Sequence, residues 1–375
     1  MAQMQFTAVA ILTLLLLKLL VISNKVALRQ EVRKARWLMT LGIALLDLQF
    51  LLQYLLGLRA MGVTQAVLVN LVLFIPCTWT ISLSILQIQT HGNATRLDKF
   101  LGGGVWALVL LILGTALAIS GQPLLSATPE LYWAEVISSI FYMTLQGHYA
   151  YRITVNLRAM RLALRNYYDH DMDGMLEWMR YSTIVLTVLS FLVPLLIFVR
   201  SAGLAVFALL FFVGIFYMVD SFCNYMVSSA PRKMMKAEEP DTSSPNPLPT
   251  SSEEGTEAGA SFDESSLQRV EHAVERWIQA GGYRRCGLNI PNAADEIGIP
   301  RYLLSAWLKQ QGLTYSTWMT DVRIDEAKRV LVQHPEWNNE AVASHCGFRD
   351  RTYFQKKFKE ITGLSPAEFA KRQVY

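Results

Sequence analysis

Residues 351–361 put Thr352, Gln355, Lys356 and Lys359 on one side of a helical projection and Phe354, Phe358 and Ile361 on the other. The apolar set repeats at i, i+4, i+7 and predicts a face turned to a core. The opposite set mixes hydrogen-bonding and cationic groups, which suits base edges in a major groove and the phosphates beside them. A turn must hold such a helix in place, and the preceding residues predict one. Ala343 is followed four positions later by Gly347, a small residue for close helix packing and then a glycine for a tight turn. Asp350 is placed to cap the helix that follows.

Residues 289–312, NIPNAADEIGIPRYLLSAWLKQQG, repeat this grammar. Ala294 and Gly298 are again four apart, Leu304 and Leu308 point inward, and Tyr302, Ser305 and Lys309 point outward. A longer helix near 314–333, carrying Arg323, Ala327 and Leu331, joins the two units, and Val270, Ala273, Val274 and Trp277 supply the apolar face of a helix before them. One such unit alone could be an ordinary helical hairpin. Two of them with a joining helix predict a domain that binds double-stranded DNA.

Residues 266–375 resemble the DNA-binding domain of the AraC/XylS family of bacterial transcription regulators. Gly347-Phe348, Tyr353-Phe354, Phe358-Lys359 and the G-x-S-P run Gly363–Pro366 stand in the family's order and spacing. The resemblance implies two helix-turn-helix units on a long helix, entering successive major grooves on one face of DNA. It implies that Tyr302, Ser305 and Ala306 are presented by the first reading helix, and Arg351, Thr352, Gln355 and Lys356 by the second. Lys309 and Lys359 are better placed for phosphates. The chain departs from the pattern at Ala306, where a long polar side chain is frequent, and at Pro300, where serine is usual; both weaken base reading by the first unit. A membrane domain stands where the family's soluble sugar-binding domain is usual, as in membrane-bound AraC-type regulators.

That membrane domain follows from composition. The chain has 375 residues, 52% apolar and 17% charged, against about 25% charged in a soluble protein. The deficit lies in residues 1–230. Apolar stretches near 5–22, 37–57, 64–87, 101–120, 131–151, 181–199 and 203–227 are each long enough to cross a hydrocarbon core of about 30 Å. The first has no positive n-region and no cleavage site, so it is expected to be a retained span rather than a signal peptide. Basic residues collect in alternate loops: Lys25, Arg29, Arg33, Lys34 and Arg36; Arg96 and Lys99; Arg152, Arg158, Arg161, Arg165 and Arg180; and Arg232, Lys233 and Lys236. The other loops hold only Arg59 and Arg200. The positive-inside rule then sets the N-terminus outside and the C-terminal domain in the cytoplasm of a bacterial inner membrane.

Ionisable groups inside spans are costly and face the bundle interior by preference. Asp47 falls mid-span with Gln49 and Gln53 after it, and reads either as a hydrogen-bonded structural carboxyl or as a sensing group. Lys18 is expected to snorkel, Glu135 to be wetted near the outer surface, and Asp220 to lie about a turn above the inner interface. Asp169-His170-Asp171-Met172-Asp173-Gly174 opens like a calcium loop, but its twelfth position is Arg180 rather than a bidentate glutamate, so no metal is expected. Cys77, Cys223, Cys286 and Cys346 lack the spacing of a zinc site or a disulfide framework.

The expected organisation is all-α: a seven-helix transmembrane bundle over residues 1–229, a disordered linker over 230–265, and the DNA-binding domain over 266–375. No cofactor and no enzymatic motif are expected. The expected partners are double-stranded DNA and membrane lipid, with RNA polymerase and a second copy of the chain as further candidates and the signal ligand open. The leading function is a one-component sensor that couples a membrane or extracytoplasmic signal to transcription. A transporter-like or structural membrane protein whose helical tail binds another protein is the alternative.

Overall fold

A computed structural model describes residues 2–22, 30–57, 63–122, 126, 128–170, 173–195, 204–228 and 264–373. The linker and several basic residues used for orientation, among them Lys25, Arg29, Arg59, Arg200 and Lys236, lie outside the described residues, as does Asp171. The fold is all-α, and among the described residues β structure is confined to one isolated antiparallel bridge between Tyr168 and Asn289.

The chain forms two compact units. The first takes in described residues up to Arg158 and from Met175 to Ser228; the second takes in Ala159–Gly174 together with the residues from Glu264 onward. The first unit contains α1 (Ala2–Val21), α2 (Gln30–Leu55), α3 (Val63–Gln89), α4 (Arg96–Ser120), most of α5 (Pro129–Tyr167) and of α6 (Asp173–Leu195), and α7 (Leu204–Ser228). Each overlaps one of the apolar stretches expected from sequence, although part of the sixth stretch lies outside the described residues. Among the described residues, four helices are long and apolar enough to cross a membrane: Gln30–Leu55, Val67–Gln89, Arg96–Ser120 and Leu210–Val227.

α2 lies along both α1 and α3, and α4 packs on α3. Glycines set the close approaches between these helices. A Cβ on Gly42 would come within 2.5 Å of Ile81, and one on Gly102 within 2.2 Å of the Trp79 ring. The buried polar groups pair across helices. Gln49 and Gln53 both donate to Asn70 Oδ1 at 2.6 Å, and Arg152 grips Asp98, which is also bonded by His148.

One expectation for this unit is corrected and another gains a partner. The Lys18 ammonium pairs with Asp220 on α7. Glu135 is not wetted: it is fully buried, and neither carboxylate oxygen has a partner among the described residues. Hydropathy along one strand of sequence locates depth in the membrane but not which side of a helix its neighbours cover.

The second unit contains α8 (Glu264–Gln279), a 3₁₀ turn (Gly282–Arg284), α9 (Ile290–Ile297), α10 (Arg301–Gln310), α11 (Tyr315–Gln333), α12 (Asn339–His345), α13 (Arg351–Thr362) and α14 (Pro366–Gln373). Its core is in two parts joined by α11. Tyr315, Trp318 and Met319 pack with Trp277, Ala294, Leu304 and Leu308. One to four turns on, Ile324, Ala327, Val330 and Leu331 pack with Ala343, Phe348, Phe354 and Phe358. A single helix thus fixes both helix-turn-helix units on one scaffold.

Candidate nucleic-acid interface

The second helix of each unit is set by its turn and its buried face, and α13 by its cap as well. Asp350 Oδ1 accepts from Tyr353 N at 2.7 Å and caps α13, satisfying one of the free N–H groups of the first turn. Gly347 sits at φ 82°, in the left-handed region. A Cβ there would lie 2.7 Å from the carbonyl oxygens of both Tyr283 and Arg284, so the turn needs glycine for space as well as for conformation. Phe354 and Phe358 are fully buried. The opposite face leaves Arg351, Thr352, Lys356 and Lys359 exposed and Gln355 half-buried. All five positions expected on the second reading helix therefore share one accessible surface.

Ile361 was expected in the core and is 43% exposed instead. Phe369 of α14 packs edge-on to Phe358 at 5.4 Å and fills that end of the core, so the last turn of α13 has no apolar face to meet.

The first unit repeats the arrangement with less polar equipment. Gly298 has φ 78°, Leu304 and Leu308 are buried, and Tyr302, Ser305 and Lys309 are exposed. Ala306 is half-buried and offers a methyl group alone. Pro300 occupies the N-cap position of α10 and makes no side-chain cap bond, which is what its substitution for a hydroxyl residue costs the helix.

Asp47 lies in the first unit, apart from these residues. Thr13 donates to its Oδ2 at 3.1 Å, and Oδ1 is buried with no partner among the described residues.

A feature that sequence reasoning missed is Arg323. It occupies a core register of α11, between Met319 and Ala327, and is 3% exposed. Its Nε donates to Tyr283 O at 2.9 Å, and Nη2 donates to Arg285 O at 2.9 Å and to Asp169 Oδ2 at 2.6 Å. An arginine at a core position demands a buried acceptor, and that demand was the available signal. Burial pushes the Asp169 carboxyl up, but the His170 ring and the Arg323 guanidinium outweigh it and hold it below its ordinary value. The half-motif that opens like a calcium loop therefore uses its first carboxylate to neutralise an arginine.

Residues 293–372 match a family model described as a helix-turn-helix domain, as the geometry of α9–α10 and α12–α13 requires. The C-terminal domain is a helix-turn-helix domain, and it is similar to the corresponding part of known transcription regulators. It is 34% identical over 82 residues to the arabinose operon regulatory protein of Salmonella typhimurium, covering 22% of this chain and 29% of that one. It is also 34% identical over 77 residues to the HTH-type transcriptional activator RhaR of Klebsiella pneumoniae, covering 20% and 27%. Over 60 residues it is 40% identical to an uncharacterized HTH-type transcriptional regulator, YisR, of Bacillus subtilis, covering 16% and 21%. The chain thus spans under a third of the length of these relatives. No solved structure matches.

Proposed function

We propose that this chain is a membrane-anchored, sequence-specific DNA-binding transcription regulator of the one-component kind. One observation carries the reading: α11 mounts two helix-turn-helix units whose second helices both turn hydrogen-bonding and cationic side chains to solvent. In this reading residues 1–229 are a seven-span sensor bundle with its N-terminus outside. Residues 230–265 are a tether, with a root-mean-square reach of roughly 30 Å if flexible. Residues 266–375 read DNA in the cytoplasm, with RNA polymerase and a second copy of the chain as further partners. Four candidate spans among the described residues support the anchoring.

Reporter fusions test the topology. A fusion in the 121–130 loop is expected to report an extracytoplasmic position, and a fusion after Lys236 a cytoplasmic one. Cytoplasmic activity from both would sink the seven-span arrangement.

Asp47 belongs to the sensing half of the proposal because its buried Oδ1 is left without a partner. Asp47→Asn is expected to change transcriptional output while the Phe354 and Phe358 amides of the full chain in lipid nanodiscs keep their exchange protection, since Asp47 lies in the other unit. Unaltered output in an inserted variant under every condition that activates the parent would contradict that role.

A further inference from the structure

The second unit contains a piece of chain that no helix-turn-helix domain requires: residues 159–174, the end of α5 and the loop after it. Tyr167 is buried in the core around Trp277 and Trp318. Tyr168 forms a β-bridge with Asn289, the N-cap of α9. Asp169 N donates to Leu288 O at 3.2 Å. Asp169 Oδ2 accepts from Gly287 N at 3.0 Å, Leu288 N at 3.2 Å and Arg323 Nη2, and His170 Nδ1 lies 2.8 Å from Oδ1.

This is a built socket. A carboxylate that is 1% exposed survives burial only if donors surround it, and here two backbone amides, a guanidinium and an imidazole do. The arginine has the reciprocal need: three carbonyls bond it, but the Asp169 carboxylate neutralises it. The partners are more than a hundred positions apart in sequence, so chain proximity does not account for the contact.

We propose that the segment following α5 is a coupling pin, seated in the Arg323–Gly287–Leu288 socket, through which α5 sets the first helix-turn-helix unit. The chain enters the C-terminal unit twice, through the linker and through α5. α5 is 39 residues long, about 58 Å at 1.5 Å per residue, whereas a membrane core needs about 30 Å. The surplus carries Tyr167 into the domain core and leads directly to Asp169. A rotation or shift of α5 would then act on the turn at Gly287–Asn289, which leads into α9. The pin's effect on transcription rests on the DNA-binding reading above; its seating does not.

The test uses the full chain in lipid nanodiscs and reads amide hydrogen exchange at Gly287 and Leu288, with Phe354 and Phe358 of α13 as an internal reference. Asp169→Asn should speed exchange at the two socket amides by about tenfold or more while the α13 amides keep their rates. One alanine inserted after Asn156 turns the pin by about 100° and should do the same. A seven-residue helical insertion keeps the phase to within about 20° but moves the pin by about 10 Å along the axis, and should also speed exchange at the socket amides. Global loss of protection in Asp169→Asn leaves the decision to the two insertions. Equal socket exchange in the parent and both insertions overturns the coupling, whether or not the protein binds DNA. A loss of DNA binding with the exchange pattern intact would instead overturn the DNA-binding reading and leave the pin standing.

Discussion

Gly347→Ala is expected to destabilise the C-terminal domain by about 2–4 kcal/mol, the sum of left-handed backbone strain and steric overlap. The overlap is with backbone, not with a side chain that could swing away: the new methyl would lie 2.7 Å from Tyr283 O and Arg284 O. Tyr283 O also accepts from Arg323 Nε, so relieving the clash would disturb the arginine at the centre of the domain. Gly298 is the natural control. It holds the equivalent turn at φ 78°, yet a Cβ there meets nothing within 4 Å. Gly298→Ala should therefore cost strain alone, about 1–2 kcal/mol. Exchange protection of the Phe354 and Phe358 amides in the full chain checks the larger effect, and of the Leu304 and Leu308 amides the smaller. Equal losses at the two glycines would show that the close approach of Gly347 to the 3₁₀ turn carries no energy.

The second large effect concerns base reading. α13 exposes Arg351, Thr352, Lys356 and Lys359 beside Gln355, whereas α10 offers Tyr302, Ser305 and Lys309 with only a methyl at Ala306. A bidentate base contact is worth about 1–3 kcal/mol of discrimination, which Ala306 cannot supply. One half-site should therefore be specified more sharply than the other. Arg351→Ala or Gln355→Ala should relax specificity at individual base pairs by up to that amount. Lys359→Ala should instead weaken binding to all sequences and reduce the salt slope by about one, as loss of a phosphate contact does. Ser305→Ala should cost less than Gln355→Ala. Affinities for single-base variants of a selected site decide the matter, and a larger loss from Ser305→Ala would reverse the assignment.

The C-terminal domain was legible in sequence because its determinants are local. A small residue, a glycine four positions on, a cap and a phenylalanine repeat lie within one hairpin, and each recurs where the structure has it. What was not legible depends on partners distant in the chain. Ile361 fits its helix's apolar period, but Phe369 had already filled that end of the core. Glu135 and Lys18 were placed by depth alone, while their surroundings come from neighbouring helices. Asp169 looked like a fragment of a metal loop because its partner, Arg323, lies on a helix that periodicity assigns to another body. Arg323 itself was the clue: a cation between Met319 and Ala327 on a core face implies a buried anion.

The central claim, that this membrane-anchored chain reads DNA sequence through two helix-turn-helix units, is tested most directly by selection from a randomised duplex library with the full chain in lipid nanodiscs. Enriched sequences should carry two half-sites about 10 base pairs apart, one more sharply defined than the other. The double variant Arg351→Ala/Gln355→Ala should lose the sharper half-site. No enrichment over the starting pool, or the same enrichment by the double variant, would contradict the account.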